Sequence, residues 1–224
     1  MILETSSYAI RSSNANTHYW QQGLYPEWAG INTIRHMPGQ RKGAGVEPHY
    51  HDGDELWLFT RGRGEVWLGE STWEVTPNTL VYTPMGVVHR FQMFTDFANV
   101  PVVTRLQGRR RDWHLRVEED GVPEPSAAGF VVPGSRNLGP VADRGPRCPL
   151  AEFRQLELAT GDGVAAGGAP ANEYWLVAAG SVRLELADCQ VVLAEGDVAL
   201  LRAGLRRSLQ ALEKVCLVVA REPA

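Results

Sequence analysis

Short apolar runs recur along the whole chain: LWLF from Leu56, EVWL from Glu65, TLVYT from Thr79, LVAAG from Leu176, VRLEL from Val182 and CLVVA from Cys216. Within several of them apolar and polar positions alternate, the period of a strand with one face buried, and helical periodicity is weak almost everywhere. Turn-forming residues separate the runs, drawn from 23 glycines and 14 prolines. This pattern predicts an all-β chain of many short strands, folded as a sandwich or barrel. The stretch from Arg105 to Pro149 departs from it, being first charge-rich and then rich in Pro and Gly, with FVV at Phe130 to Val132 as its main apolar run. It reads as a connection between two units.

The strand pattern also repeats. Placing Glu55-Leu-Trp57-Leu on Glu173-Tyr-Trp175-Leu sets a displacement of 118 positions. The same register, with no gap, pairs Gly43 with Gly161, Gly62 with Gly180, Val66 and Leu68 with Leu184 and Leu186, and Gly86 with Gly204. Val100-Pro-Val-Val also falls on Val218-Val-Ala-Arg. One register that aligns glycines, a tryptophan, a glutamate and the apolar alternation indicates two copies of one β unit, roughly residues 25–106 and 150–222. The expected division is a first barrel over 1–106, a connector over 107–149 and a second barrel over 150–224.

Composition narrows the partners. A net charge of -4 and a pI near 5.9 give no general pull toward nucleic acid. Arg109-Arg110-Arg111 is followed closely by Glu118, Glu119 and Asp120, so that loop reads as self-neutralising. Cys148, Cys189 and Cys216 are odd in number and without a CxxC pair, which suits reduced, buried thiols better than a disulfide framework. No basic leader with a long apolar run opens the chain and no apolar run spans a bilayer, so the expectation is a soluble, cytoplasmic protein with no membrane partner.

The chemistry concentrates in GAGVEPHYHDGDELWLFTRG, from Gly43. Side chains two apart on a strand share a face, so His49 and His51 project together. The turn Asp52-Gly-Asp lets Glu55 return to the same cavity, and in YTPMGVVHRF a tight Pro84–Gly86 turn lets His89 point inward from a further strand. Three imidazoles and one carboxylate suit Fe(II), Mn(II), Ni(II), Cu(II) or Zn(II) and leave positions open for water or substrate. His18, His36 and His114 lack such spacing.

These residues resemble the cupin superfamily. Its first motif, G(X)5HXH(X)3,4E(X)6G, is met at each fixed position by Gly43, His49, His51, Glu55 and Gly62, and its second, G(X)5PXG(X)2H(X)3N, by Pro84, Gly86 and His89. Asn78 stands where the second motif opens on Gly, and Met93 where it closes on Asn. The resemblance, with the repeat, implies two tandem jelly-roll β-barrels, a bicupin, and a single divalent metal held by His49, His51, Glu55 and His89. In the second copy the ligand positions fall on Gly167, Ala169, Glu173 and Arg207, so that barrel is expected to be degenerate and to hold a Glu173–Arg207 ion pair in place of the metal.

Alternation places Trp57 and Phe91 on the cavity wall with Glu55 and His89, as substrate contacts, and directs Val66 and Leu68 inward. Tyr82 is a candidate catalytic proton donor beside the Pro84 turn. Of Arg35 and His36 one faces inward, and Arg35 there would hold an anionic substrate. Outward Trp67, Trp73 and Trp175 suggest a covered face and a homodimer. The favoured reading is a metal-dependent, dioxygenase-like oxidoreductase acting on a small organic molecule, with Fe(II) as the metal, because the wall is aromatic. An isomerase, decarboxylase or lyase is the alternative, and a non-catalytic small-ligand binder the further one.

Overall fold

In a computed structural model the chain is described over residues 2–11, 17–19, 31–104, 115–121, 124–125, 128–132 and 150–224. It is built of antiparallel strands with one four-residue helix, Val117–Asp120. Arg109, Arg110, Arg111, His114 and Cys148 lie outside the described residues. Among the described residues no helix is long and apolar enough to cross a membrane.

The chain divides into two compact units. In the first barrel, built mainly within residues 30–135, one sheet runs Phe130–Val132, Thr79–Thr83, Glu55–Arg61, Phe97–Thr104, Ile31–Arg35 and Thr17–Tyr19, with Met37–Gln40 also paired to Phe97–Thr104. It faces a four-stranded sheet in the order Gly45–His49, His89–Met93, Gly64–Leu68 and Ser71–Val75. Trp57, Phe59, Val81 and Phe97 from one sheet interlock with Val66, Leu68, Phe91 and Met93 from the other. These are the inward positions of the alternation, including Val66 and Leu68 as expected, and each large apolar side chain so buried contributes on the order of 1.5–3 kcal/mol.

The second barrel repeats the plan in its own residues. Its sheets run Ile2–Glu4, Tyr8–Arg11, Val198–Leu201, Glu173–Ala179, Val215–Arg221, Glu152–Leu158 and, facing these, Gly163–Gly167, Arg207–Ala211, Ser181–Leu186, Gln190–Ala194. Its core uses Trp175, Val177, Leu184, Ala199, Leu209, Ala211 and Val215, which stand 118 positions after Trp57, Phe59, Val66, Val81, Phe91, Met93 and Phe97. The two units are jelly-roll barrels, and the displacement read from the sequence is a structural register.

Three expectations need correction. The first barrel does not begin at residue 1, because Tyr8–Arg11 is hydrogen-bonded to Val198–Leu201 and its residues Tyr8, Ala9 and Ile10 are buried in the second barrel. Nor is 107–149 only a connector: Phe130–Val132 pairs with Thr79–Thr83 and adds an edge strand to the first barrel. Each barrel thus closes one sheet edge with a strand from outside its repeat, which satisfies edge hydrogen bonds that neither copy covers alone. Trp175, expected outside, is 3% exposed in the core, while Trp73 is exposed and Trp67 lies under the Arg90 guanidinium, 4.2 Å from its ring centre.

The turns repeat as well. Asn78 takes a left-handed φ of 67° where its counterpart Gly196 has 87°, so the departure from the glycine motif leaves the turn geometry intact. Gly62 and Gly180 share φ values of 93° and 80°, and at each a Cβ would come within 2.6 Å of a backbone oxygen, from Asp96 and Lys214 respectively. Adding left-handed strain of about 1 kcal/mol to that close approach, Gly62→Ala and Gly180→Ala are each expected to lower the unfolding free energy by about 2 kcal/mol or more. Urea titration measures this; a loss below about 0.5 kcal/mol would show that the approach is not tight.

Candidate metal centre

The site is assembled from three chain segments whose backbones are tied together. Strand Gly45–His49 delivers His49, and His51 follows two residues later with Tyr50 turned away to bridge Leu115 and donate its hydroxyl to Gly121 O at 3.2 Å. Gly86 N–H donates to His51 O at 2.9 Å, which holds the Pro84–Gly86 turn against the histidine loop, and His89 opens the next strand opposite His49. Glu55 begins strand Glu55–Arg61.

Asp54, which sequence reasoning passed over as part of a turn, locks these segments. Its side chain accepts from the Tyr82 hydroxyl at 3.1 Å and from Met85 N–H at 2.8 Å, while its backbone N–H donates to the Thr104 hydroxyl at 3.0 Å. A carboxylate directly before Glu55 was the available signal, and the structure buries it to 8% exposure.

His49, His51, Glu55 and His89 are all buried, and their ligand atoms lie within 4.8 Å of one another. Glu55 Oε2 is 3.1 Å from His51 Nε2 and 3.1 Å from His89 Nε2. Two ligands about 2.1 Å from one ion and at right angles are about 3 Å apart, so these separations fit a shared divalent cation. The tautomers agree. His49 Nδ1 donates to Glu47 O at 2.7 Å and His89 Nδ1 to Val87 O at 2.8 Å; because a carbonyl only accepts, the protons sit on Nδ1 and each Nε2 keeps its lone pair. In a neutral His89 that lone pair faces the Glu55 carboxylate, an arrangement of two acceptors that a cation between them makes favourable.

The electrostatics follow. Burial, then the neighbouring His89 and His51, push the His49 pKa down to about 3, so the ring is neutral and free to ligate. Burial raises the Glu55 pKa, but His51 and His89 outweigh it and hold the carboxyl well below the usual range. The donor set of three imidazoles and one carboxylate is a metal-binding site for a divalent transition ion.

Around it, Trp57 meets the His89 ring edge-to-face at 5.2 Å between centroids and the Phe91 ring likewise at 5.2 Å. Arg35 and His36 separate cleanly. Val103 pairs with Thr33 and Asn99 with Met37, so alternation puts Arg35 with Thr33 and Met37 on the face that carries Trp57 and Glu55. Arg35 is exposed there, whereas His36 is buried on the opposite face. Tyr82 needs correction as a proton donor: it pairs with Leu56, pointing to the face opposite Glu55, and its hydroxyl is committed to Asp54. It is a positioning residue. Thr83, its neighbour, pairs with Glu55 and shares its face; its hydroxyl is buried with no hydrogen-bond partner among the described groups.

In the second barrel Glu173 pairs with Arg207, as expected, and accepts from the Trp175 indole at 2.9 Å. Cys189 and Cys216 are half-buried free thiols, and burial, with Glu157 nearby, pushes Cys216 up to about 12.

Two outcomes are expected. Asp54→Ala keeps all four ligands but loosens the segments that carry them, and chelator competition should read a metal affinity about 10–100-fold weaker; unchanged affinity would remove Asp54 from the site's support. In chelated protein, His49 takes its proton near pH 6.5 when unfolded and near 3 when folded, and Glu55 is shifted in the same sense. The unfolded chain therefore binds more protons through this range, so the melting temperature falls as pH drops from 6.5 toward 3, and a flat profile would contradict the burial of neutral His49.

Comparison with known proteins agrees with this geometry. Residues 38–97 match the family described as cupin domain. An uncharacterized protein of Sinorhizobium fredii, y4oW, is 35% identical over 75 residues, which is 33% of this chain and 35% of that one, so the match spans about a third of the length of this curated relative. Among solved structures, a variant of Bacillus subtilis oxalate decarboxylase superposes with a TM-score of 0.68 at 13% identity, over 99% of this chain and 74% of that one. The formate complex of Lactobacillus farciminis oxalate decarboxylase gives 0.67 at 12% identity, over 100% and 84%. Identities this low speak for the fold alone. Residues 38–97 form a cupin domain, lying within the first of two jelly-roll barrels, and that domain carries the His49, His51, Glu55, His89 metal site.

Proposed function

We propose that the protein is a metal-dependent enzyme of the lyase type that removes carbon dioxide from a small organic acid in the first barrel. The observation that carries this reading is Arg35, an exposed cation on the same sheet face as the buried ligand Glu55 and the wall residue Trp57. A guanidinium there suits a carboxylate by a bidentate contact. The same fold houses decarboxylation in the oxalate decarboxylases, an analogy of fold that puts this reaction first among those to test. The aromatic wall that favoured an oxygenase fits an organic substrate of either reaction and does not select between them.

His49, His51, Glu55 and His89 would hold the metal, and a bound divalent ion supplies Lewis-acid polarisation of a substrate oxygen. Arg35 draws the carboxylate toward the barrel mouth. Trp57 and Phe91 limit water around the reacting carbon, and the Thr83 hydroxyl offers a hydrogen bond beside Glu55. The reaction is redox-neutral: the bond to the carboxylate carbon breaks, its electron pair stays on the remaining carbon, and a proton replaces the lost carbon dioxide.

The test is metal analysis followed by assay of the reconstituted protein with oxalate and small keto acids, recording carbon dioxide and dissolved oxygen together. Carbon dioxide without net oxygen consumption supports the lyase. Oxygen consumed in step with substrate would restore the oxygenase reading, and no turnover with a full complement of metal would leave a binding protein. In an active protein Arg35→Ala should raise KM about tenfold or more with metal content unchanged, since a charge-assisted hydrogen bond is lost; an unaltered KM would place the substrate elsewhere.

A further inference from the structure

The second barrel contains a cavity of about 260 Å³ at the end of its interior that corresponds to the metal site of the first. Its wall includes Arg154, Arg207, Arg221, Glu173, Trp175 and Gly167. The space has a cause in sequence. Where the first barrel has His49 and His51, the second has Gly167 and Ala169, and a Cβ added to Gly167 would meet nothing within 4 Å. The volume that two imidazoles fill in one copy is open in the other.

The charges around it do not cancel. Glu152, Arg221 and Glu173 face one another across three adjacent strands. Glu152 takes Arg221 at 2.6 Å and also Arg154, while Glu173 is held by Arg207 and the Trp175 indole. Three guanidiniums against two carboxylates leave one positive charge. The rest of the wall is largely apolar, with Leu156, Val164 and Val219, and because Glu173 neutralises Arg207 the surplus charge lies at the mouth, on the group of Arg154, Glu152 and Arg221. Arg207 is 6% exposed, but the Arg154 and Arg221 side chains are 34% and 32% exposed and reach the mouth.

A second observation is independent of the cavity. Arg154 pairs with Val219, which pairs with Trp175. Arg35 in the first barrel has the same place, on the strand beside Pro101, which pairs with Trp57. An arginine in line with the core tryptophan, at the open side of the interior face, recurs in both copies although the ligand histidines do not.

We propose that the second barrel is a binding site for a small organic monocarboxylate, held by Arg154, Arg207 and Arg221 without a metal. A single negative charge balances the surplus of one, and a planar carboxylate with an apolar tail fits a mouth of guanidiniums over an apolar wall better than phosphate, which is polar on every side. The volume lies below the roughly 300–1,000 Å³ of sites for drug-sized ligands, so the acid has few atoms beyond its carboxylate. A guanidinium fork matches a carboxylate in shape, and Trp175 and the aliphatic wall take its apolar part.

The experiment titrates the full-length protein with acetate and with benzoate, by calorimetry and ligand-observed NMR, and compares inorganic phosphate. His49→Ala/His51→Ala removes the metal centre and with it the metal-dependent carboxylate site of the first barrel, and it should keep the carboxylate-binding event of the second. Arg154→Gln/Arg221→Gln should weaken it about tenfold or more. Gly167→Leu keeps every charge and fills the space, so it should abolish binding with an unchanged melting temperature, which guards against misfolding of the arginine variant. Binding lost with the histidines but kept in the other two variants would place the anion at the metal and overturn the proposal. So would phosphate taken in preference to both carboxylates, or binding of neither acid. Because the readout is binding without turnover, its failure is separate from failure of the lyase reading.

Discussion

A carboxylate buried among groups that offer it only lone pairs is unstable without a cation nearby, and both barrels are organised around that constraint. Glu55 and Glu173 stand at equivalent positions at the start of equivalent strands, each 6% exposed. In the first barrel the cation must come from outside, and three imidazoles, two of them with Nδ1 tied to backbone carbonyls, prepare a place for it. In the second, Arg207 occupies the position of His89 and brings the cation on the chain itself. The loss of His49 and His51 in the second copy is compatible with folding because the remaining glutamate is already neutralised.

Much of this was legible because the responsible signals are local. HYH followed by Glu55, the Pro84–Gly86 turn and the displacement of 118 positions are short-range patterns, and they located the ligand set and the paired core. What the sequence hid was long-range or two-sided. Tyr8–Arg11 finds its partner about 190 positions later, and an alternating strand does not declare which edge it will join. Tyr82 lies two residues from Pro84 yet points to the face opposite Glu55, and only its pairing with Leu56 decides that. The choice between Arg35 and His36 likewise needed the register of a neighbouring strand.

The residues around the ligands divide by depth. Asp54 ties three segments with side-chain and backbone hydrogen bonds and leaves the chemistry to others. Trp57 and Phe91 belong at once to the hydrophobic core and to the cavity wall, so the packing that stabilises the barrel also fixes the surroundings of the metal. Arg35 and Arg154, in contrast, sit where interior and solvent meet, and a change there costs the core little.

The strand Tyr8–Arg11 has a consequence for how the molecule is made. It precedes the strands of the first barrel in the chain, while Val198–Leu201, the edge it covers, follows them. The second barrel therefore cannot complete its larger sheet until those strands have emerged from the ribosome, and Tyr8–Arg11 has no such edge to pair with until then. Order of synthesis and order of assembly run in opposite directions in this chain, so a C-terminal half produced alone from residue 136 would begin life with a bare sheet edge.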